Sequence, residues 1–504
     1  MTVRTQAVPD LGAKTPLPAL EPLLFELARP GRHGRHVRSP ETADIPAAFR
    51  RTTPLGLPEL TEPQVVRHYT HLAQLNYAVD TGMYPLGSCT MKYNPKVNDR
   101  VAGLFADIHP RQSYRTTQGV LALAYELEQL LAKITGMDFV SLQPQAGAQS
   151  ELTALLVFKA YHAKRGEAGQ RRRIIVPDSA HGTNPASAAM CGYRVTTVKS
   201  DARGNVDLDA LKAALGPDVA GFMLTNPNTI GLFEERVREV CAAVHDVGGL
   251  VYGDGANMNA LLGIARPGDL GFDCVHINVH KTFSTPHGAG GPGAGPLCVK
   301  APLRPFLPKP WIVREADGSY HYDTAREDRE PDAVGESIGT IKQRLGNFGV
   351  LVRAYTYMRT LGEEGLVETA RDAILAANYL LALLREAYDV AYDRSCMHEF
   401  VLSARRQKQQ GVSALDVAKA LIDEGFHPPT VYFPLIVPEA LMIEPTETET
   451  KETLDAFAAA MLRIAERART DPASVHDAPT KAPLRRLDEV TAARKPVLRW
   501  KRPS

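Results

Sequence analysis

The residue of this chain with the clearest capacity for chemistry is Lys281. It follows residues 271–279, whose apolar and polar side chains alternate as in a β-strand. Residues 285–293, which come just after it, are so rich in Gly and Pro that neither helix nor central strand can persist there. An amine at the mouth of a sheet, partly out of water, can form a Schiff base with an aldehyde cofactor. The ordinary alternative is a solvated loop lysine, so the surrounding residues must decide.

Three more polar residues follow short apolar segments in the same way. His181, Asn226 and Asp254 each lie within a few residues of the end of an expected strand. Ligands of open α/β sheets bind outside the carboxyl ends of the strands. Each residue alone could be a turn or capping residue, but together with Lys281 they favour a binding site.

Pyridoxal 5′-phosphate is a cofactor that these residues could hold. It needs a lysine for its aldehyde, a carboxylate that keeps its pyridine nitrogen protonated, and backbone donors for its phosphate. Lys281 supplies the first and Asp254 could supply the second through a charge-assisted hydrogen bond. Residues 145–150 precede a helical stretch at 151–161 and include small residues where backbone could approach an anion. His181 could lie flat on the cofactor ring.

The elements around these residues predict an α/β fold with a mostly parallel central sheet flanked by helices. Helical patterns alternate with short apolar segments through this part of the chain. The expected strands are 173–176, 194–198, 220–224, 249–252, 272–279 and 296–299, and helices are expected at 118–134, 209–215 and 234–247.

Four regions are predicted along the chain. Residues 1–110 form a proline-rich N-terminal arm and a hydroxyl-rich loop, and residues 111–345 form the large cofactor-binding domain. Residues 346–480 form a smaller α+β domain, and residues 481–504 form a basic tail. The basic run in the arm favours packing on a neighbouring subunit over binding of a polyanion.

Composition excludes several classes of protein. The 504 residues carry 58 basic and 57 acidic side chains, so no global field favours nucleic acid or an anionic membrane. The six cysteines are far apart and form no CxxC pair, which argues against a zinc cluster or disulfide framework and favours a cytoplasmic location. No apolar run approaches the roughly 18 residues of a membrane span, and the N-terminus has no secretory signal pattern.

Three motifs resemble a known family. They are YPLGSCTMK at residues 84–92, DGANMN at 254–259 and HKTF with PHG at 280–288. Together they resemble the glycine cleavage system P-protein, or glycine dehydrogenase (decarboxylating), and within it the second, cofactor-carrying subunit of the split form. The resemblance extends from about Pro22 to Lys501 and includes RRLDEV at 485–490.

The resemblance implies a fold type I pyridoxal phosphate enzyme, a decarboxylating oxidoreductase. Glycine would lose its carboxylate as carbon dioxide, and the aminomethyl group would pass to the lipoyl group of H-protein. The implied partners are glycine, lipoylated H-protein and a homologous subunit 1, in an α2β2 heterotetramer.

The resemblance also assigns roles to individual residues. It makes Lys281, His181 and Asp254 catalytic, with all three in contact with the cofactor. Further cofactor-binding residues would be Gly147, Ala148, Asn226, His280 and Thr340. Tyr84, Ser88, Cys89 and Thr90 would line the substrate side.

Other interpretations stay open at this point. A metal site could use His276, His280 and His287, but no carboxylate stands at a familiar zinc-enzyme spacing, so no metal is expected. Cys89 could be a nucleophile, although the neighbouring sequence offers no His partner. The same cofactor site could also serve aldol cleavage or transamination, or the chain could be a catalytically silent structural subunit. The presence of both Lys281 and Asp254 argues against the silent subunit.

Overall fold

The structure, a computed structural model, describes residues 21–32, 45–53, 55–87, 93–109, 111–285, 293–323, 336–342, 344–499 and 501. The chain packs as two units, Met1–Gly82 with Asp477–Ser504 and Met83–His476. The predicted candidate site residues all fall in the second unit. Among the described residues, no helix has the length and apolar character needed to cross a membrane.

The helices are α1 (Leu24–Leu27), α2 (Glu62–Gln74), α3 (Lys96–Gly103), α4 (Gln118–Thr135), α5 (Gly147–Lys164), α6 (Thr183–Met190), α7 (Leu208–Ala214), α8 (Val237–Asp246), α9 (Pro267–Leu270), α10 (Val279–Thr282), α11 (Phe348–Leu384), α12 (Arg405–Gln409), α13 (Ala414–Asp423), α14 (Lys451–Thr470), α15 (Pro472–His476) and α16 (Glu489–Arg494). The strands are β1 (Phe139–Ser141), β2 (Arg173–Pro177), β3 (Arg194–Val198), β4 (Val219–Thr225), β5 (Leu250–Gly255), β6 (Cys274–Ile277), β7 (Leu297–Val299), β8 (Trp311–Arg314), β9 (Tyr320–Asp323), β10 (Asp389–Val390), β11 (Phe400–Ser403), β12 (Thr430–Val431) and β13 (Ala440–Ile443).

The first unit contains α1, α2 and α16. Helix α2 begins after Thr61, whose backbone N–H and hydroxyl both donate to the side-chain oxygen of Gln64. This reciprocal N-terminal cap explains why the helix begins there, with Pro63 in the first turn, where its missing N–H costs nothing. Glu21 contacts both His68 and His71 on the same helix.

A seven-stranded sheet forms the centre of the second unit. Its strand order is β1-β7-β6-β5-β4-β2-β3. The pairs from β6 through β3 are parallel, whereas β7 is antiparallel to both of its neighbours. β7 is thus the one strand of this sheet that runs against the others. The predicted mostly parallel sheet is therefore confirmed.

Both faces of this sheet are buried, as expected of a parallel sheet covered by helices. Successive residues of β4 point to opposite cores: Phe222 packs with residues of α4 and α8, and Met223 packs with residues of α5. On β5, Val251 packs in the same core as Phe222, and Tyr252 packs in the same core as Met223. Continuous apolar strands of this kind fix the sheet in place and hold the polar residues that follow each strand at one edge.

A second, antiparallel sheet lies in the C-terminal part of this unit, with strand order β10-β11-β13-β12. Helices α11, α13 and α14 accompany it, and α11 is interrupted at Gly362, whose φ of 67° is not helical. This α+β content agrees with the pattern seen in the sequence. The division of residues 111–480 into two domains at 345 stays a prediction.

Several elements differ from expectation. The segment 272–279, predicted as one strand, forms a strand only over β6 before α10 begins. The edge strand β1, the hairpin β8–β9 and the helix α6 were not predicted. Each is short, so its periodicity gave little signal.

Candidate active site

Four adjacent parallel strands bring the predicted residues to one edge of the sheet. Asn226 directly follows β4, Asp254 is the fifth residue of β5, and Lys281 lies in α10, the helical turn that follows β6. His181 lies between β2 and α6. Asp254 and Lys281 both act electrostatically on His181, so the structure places these three side chains close together.

Asp254 is a buried carboxylate, only 4% exposed, that the site keeps ionised. One oxygen accepts a hydrogen bond from the backbone N–H of Ala256 at 3.0 Å, and the other accepts from Nδ2 of Asn184 at 3.2 Å. Burial alone would raise the pKa of Asp254. His276, the two hydrogen bonds and Lys281 outweigh burial and hold the pKa below its usual value. A buried anion beside a lysine is suited to pair with a protonated ring nitrogen.

Behind Asp254 lies His276 of β6, with Nε2 3.6 Å from Oδ1 of Asp254. The Tyr252 hydroxyl is 2.5 Å from Nδ1 of His276, and burial raises the pKa of Tyr252, so the phenol keeps its proton and donates. Burial also lowers the pKa of His276, which leaves the ring neutral with its proton on Nε2 toward Asp254. His276 is thus part of the buried shell that orients the carboxylate.

The ring of His181 is exposed at the site, in contrast to these buried groups. Its Nδ1 lies 2.8 Å from Oγ1 of Thr183, the first residue of α6. The ring of Phe433 packs edge-on against the His181 ring, with the two ring centroids 5.7 Å apart. The surrounding protein lowers the pKa of His181 by desolvation and through Lys281, partly offset by Asp254. An exposed, neutral aromatic face at the centre of a site can stack on a planar ligand.

Helix α5 begins at Gly147, within the predicted phosphate loop. The first backbone N–H groups of a helix have no partner within the helix and favour anions. A Cβ atom on Gly147 would lie 2.3 Å from Oδ1 of Asn278 and 2.8 Å from Nε2 of His276, so only glycine fits here. Ser150 donates from Oγ to the backbone oxygen of Gly295, which binds this helical turn to the segment before β7. Gly147 and Ala148 thus stand at a helix N-terminus, as the resemblance implies.

Nδ2 of Asn226 is a buried donor at the site that has no hydrogen-bond partner among the described residues. Oδ1 of the same side chain accepts from the backbone N–H of Glu234. A buried donor without a partner costs free energy unless a ligand completes it. The Asn226 donor fits the ring hydroxyl oxygen of pyridoxal phosphate, and the backbone donors at the helix N-terminus fit its phosphate, beside the lysine and the ionised Asp254.

The two remaining candidates for the cofactor, His280 and Thr340, have hydrogen-bond contacts with the main chain. Nδ1 of His280 is 3.1 Å from both the backbone nitrogen and oxygen of Ala294, so this nitrogen faces main chain. Thr340 is exposed and donates to the backbone oxygen of Lys309. The adjacent Ile341 N–H donates to the side chain of Gln143, two residues before the phosphate loop, which places this segment at the rim.

The predicted substrate-side loop is described only at its ends. Tyr84 stacks on His427 with ring centroids 4.1 Å apart, and the Gly87 oxygen accepts from the Thr430 hydroxyl. At the other end the Tyr93 oxygen accepts from the hydroxyl of Ser284, three residues beyond Lys281. The loop therefore connects the C-terminal sheet to the lysine segment. Ser88, Cys89 and Thr90 lie outside the described residues, as does His287.

The loop that follows Asp254 is anchored by a buried polar cluster. Asn257 donates to Glu399 at 3.4 Å, and Asn259 donates to Glu444 at 3.3 Å. His398 lies between these carboxylates, 3.8 and 4.0 Å from them, and all three side chains are fully buried. The cluster joins the loop after β5 to strands β11 and β13, and so fixes the main chain that carries Asp254.

Sequence reasoning missed three members of the site. Asn184 donates to Asp254, and Glu151 is connected to His181 through Thr183. His276 was considered only as a metal ligand, whereas its Nε2 faces Asp254. The signals were weak: Asn184 closes the 178–184 segment after β2, and Glu151 is a buried acid at the start of an expected helix. Their roles depend on contacts between distant parts of the chain.

Comparison with known proteins agrees with this arrangement. Residues 152–311 match the family described as aminotransferase class-V, and residues 369–485 match glycine dehydrogenase, C-terminal domain. A probable glycine dehydrogenase (decarboxylating) subunit 2 of Desulforamulus reducens is 55% identical over 95% of this chain and 99% of its own length. A protein of the same description from Lysinibacillus sphaericus is 54% identical over 95% of this chain and 98% of its own length.

A solved structure supports the fold independently. The crystal structure of a glycine decarboxylase (P-protein) of the glycine cleavage system, in inhibitor-bound form, superposes with a TM-score of 0.68. It covers 83% of this chain and 93% of that chain at 22% identity, a likeness that concerns the fold alone. With the class-V match, it confirms the predicted α/β fold type I of pyridoxal phosphate enzymes.

Proposed function

The chain belongs to the glycine dehydrogenase (decarboxylating) subunit 2 family, and we propose that it decarboxylates glycine with pyridoxal 5′-phosphate and transfers the aminomethyl group to lipoylated H-protein. The observation that carries this proposal is the placing of Lys281 within electrostatic reach of buried, ionised Asp254 and the exposed ring of His181. When bound, the cofactor supplies an aldehyde that bonds to an amine and a ring that accepts the electron pair released by decarboxylation.

Each residue of this group has a distinct task. Lys281 would hold the aldehyde carbon of the cofactor through Nζ. Asp254 would keep a proton on the ring nitrogen through a charge-assisted hydrogen bond, which maintains the ring as an electron acceptor. His181 would lie against the ring face. Nδ2 of Asn226, which has no partner among the described residues, would donate to the ring hydroxyl.

The N-terminus of α5 would hold the phosphate. The backbone N–H groups of Gly147 and Ala148 point out of the first turn, where the helix dipole also favours a negative charge. The crowding around Gly147 by Asn278 and His276 shows how closely this turn is packed against the strand that leads to Lys281. Thr340 and His280 would act at the rim of the site.

Substrate binding falls to the loop from Tyr84 to Thr90. Tyr84, Ser88, Cys89 and Thr90 offer hydroxyls and a thiol that would orient the glycine carboxylate and exclude water. The electron pair released by decarboxylation would then form a carbon–sulfur bond between the aminomethyl group and one sulfur of the lipoyl disulfide. The other sulfur leaves with the S–S electrons and takes a proton, so the disulfide undergoes a two-electron reduction.

The family description also supports an assembly. A subunit 2 implies a homologous subunit 1, and we propose an α2β2 heterotetramer that presents its site to H-protein. We also propose a cytoplasmic location, which is supported by the five described cysteines, all of them free thiols.

The test is glycine–bicarbonate exchange with lipoylated H-protein, with and without subunit 1. We expect label from bicarbonate to enter the carboxyl group of glycine only when the cofactor and H-protein are both present. Carboxyl-labelled glycine should release labelled carbon dioxide in the forward direction. A protein that binds the cofactor but instead exchanges amino groups or cleaves larger amino acids would contradict the proposed reaction. A protein that binds no cofactor would contradict the site itself.

A further inference from the structure

Glu151 is a buried carboxylate to which the proposed reaction assigns no task. It lies in the first turns of α5, is 3% exposed, and has no lysine or arginine within ion-pair distance in the described part of the chain. Oε1 accepts from Oγ1 of Thr183 at 2.7 Å, and Oε2 accepts from Oγ of Ser187 at 3.2 Å. A carboxylate that has only neutral hydrogen-bond donors is costly to ionise when buried.

Thr183 connects this carboxylate to His181. Oγ1 of Thr183 lies 2.7 Å from Glu151 and 2.8 Å from Nδ1 of His181, yet a hydroxyl carries a single proton. When Glu151 is ionised it takes that proton, and Nδ1 of His181 must then donate to Thr183. When Glu151 is protonated it donates to Thr183 instead, whose proton turns to Nδ1.

The backbone fits the second arrangement as well. The N–H of Thr183 points at Nδ1 of His181 at 3.3 Å, which suits a nitrogen without a proton. The imidazole proton then sits on Nε2. One proton gained or lost by Glu151 is therefore matched by movement of the imidazole proton between the two ring nitrogens.

We propose that Glu151 is a positioning residue that sets, through Thr183, which ring nitrogen of His181 carries the proton. Nε2 then donates toward the ligand that His181 faces when Nε2 carries the proton, and accepts when Nδ1 carries it. The inference rests on the proposed function only in that this ligand is the cofactor with its substrate. It gives a buried acid next to the phosphate-binding turn a chemical task.

The other ionisable groups nearby allow Glu151 to be the group that changes. Burial and then the neighbouring Asp254 raise the pKa of Glu151 to about 7, against the lowering effect of Thr183, Asn184 and Ser187. Asp254 has a lowered pKa and stays ionised at neutral pH, and Tyr252, which faces both carboxylates, has a raised pKa and stays protonated. Lys281 faces His181 and Asp254, so its contribution has to be separated by experiment.

The experiment reads the tautomer directly. Protein labelled with nitrogen-15 histidine is loaded with pyridoxal phosphate, the His181 signals are assigned with His181→Gln, and both ring nitrogens are followed between about pH 6 and pH 8.5. We expect the proton to move from Nε2 to Nδ1 with a midpoint of about 7. Glu151→Gln and Thr183→Val should abolish this change, and Thr183→Ser should retain it. Repeating the titration without cofactor separates any effect of Lys281.

Ser187→Ala is the matched control. It removes a donor from Oε2 and leaves the path through Thr183 intact, so the change should persist with a midpoint moved to higher pH. The proposal is wrong if Glu151→Gln keeps the change at the wild-type midpoint, or if Thr183→Val behaves as Ser187→Ala does. Should Glu151→Gln fail to fold, the comparison of Thr183→Val with Thr183→Ser still decides. Failure to bind cofactor would count against the proposed function, while the histidine titration would remain measurable.

Discussion

Replacing Asp254 by Asn removes one charge from the site and keeps the shape of the side chain. The new amide group would face a donor, either the N–H of Ala256 or Nδ2 of Asn184, because the carboxylate accepts from both. Oδ1 of Asn184 has no partner among the described residues, so this amide can turn over and accept from the new Nδ2. We therefore expect Asp254→Asn to fold with nearly unchanged stability.

The expected loss is in catalysis. A hydrogen bond between a charged donor and a carboxylate contributes about 1.5–3 kcal/mol, and the buried setting of Asp254, 4% exposed, favours the upper end. About 3 kcal/mol corresponds to a roughly 150-fold lower rate. Because the protonated ring matters most as the electron pair develops, the loss should fall on kcat rather than on KM for glycine. Glycine–bicarbonate exchange with saturating H-protein measures both.

Asp246→Asn is the control, since Asp246 is exposed at the end of α8, away from the strand ends that carry the site. It should leave kcat unchanged. If Asp254→Asn retains kcat within about twofold of wild type, a loss too small for a missing charge-assisted bond, another group must protonate the ring. A parallel thermal unfolding curve is needed, because a destabilised variant would lose activity for a different reason.

Four further predictions concern the lysine, the phosphate-binding turn, a histidine outside the site and the N-terminal arm. Lys281→Ala should abolish both turnover and the visible absorbance that pyridoxal phosphate gains on binding. Gly147→Ala should weaken cofactor binding by roughly 5- to 150-fold, because the added Cβ overlaps Asn278 and overpacking costs about 1–3 kcal/mol. His245→Gln should lower stability to urea at acidic pH, because the hydrogen bond from His245 to Asp273 raises the pKa of His245. That stabilisation is fully present below the unfolded value of about 6.5 and is lost as pH rises through the folded-state value. Deleting residues 1–40 should weaken association with subunit 1 more than it alters cofactor absorbance, and the chain alone should turn over glycine poorly.

Each of these has its own control or contrary outcome. Lys199→Ala, at an exposed position, should leave the absorbance intact, and retained absorbance in Lys281→Ala would remove that residue from its role. Gly119→Ala adds a Cβ in open space and should be silent. A pH-independent effect of His245→Gln would mean that the histidine acts through packing alone. Full glycine decarboxylation by the purified chain with H-protein would contradict the two-subunit assembly.

The sequence predicted the central sheet well because its strands are buried on both faces. Residues 194–198 were predicted with the bounds that β3 has, and β2, β4 and β5 were each found within a few residues. Such strands are continuous apolar runs bounded by turn residues, so their pattern is local. The same locality identified the residues at the strand ends, since Asn226 directly follows β4, Asp254 is near the end of β5 and Lys281 lies in the helical turn after β6.

What the sequence could not predict are groups whose function depends on a partner far along the chain. His276 owes its role to two residues of the neighbouring strand: its Nδ1 contacts the Tyr252 hydroxyl, and its Nε2 faces Asp254. Glu151 matters because Thr183 lies against it from a helix that was not predicted at all. These pairs are created by strand register and helix packing, and no spacing in the chain encodes them.

Reaction specificity also depends on contacts between distant parts of the chain. Lys281, Asp254 and a helix N-terminus suffice for many reactions of the cofactor, because they activate any amino acid bound as an amine. Which bond of the amino acid breaks must depend on groups that orient the substrate above the ring. We propose that this task falls to the loop whose ends are bound by Thr430 and His427 of the C-terminal part and by Ser284 near the lysine. Movement of the C-terminal sheet relative to α10 would displace the two ends of the loop relative to each other. Substitutions at Thr430 or His427 should therefore alter which amino acids react before they alter how tightly the cofactor binds.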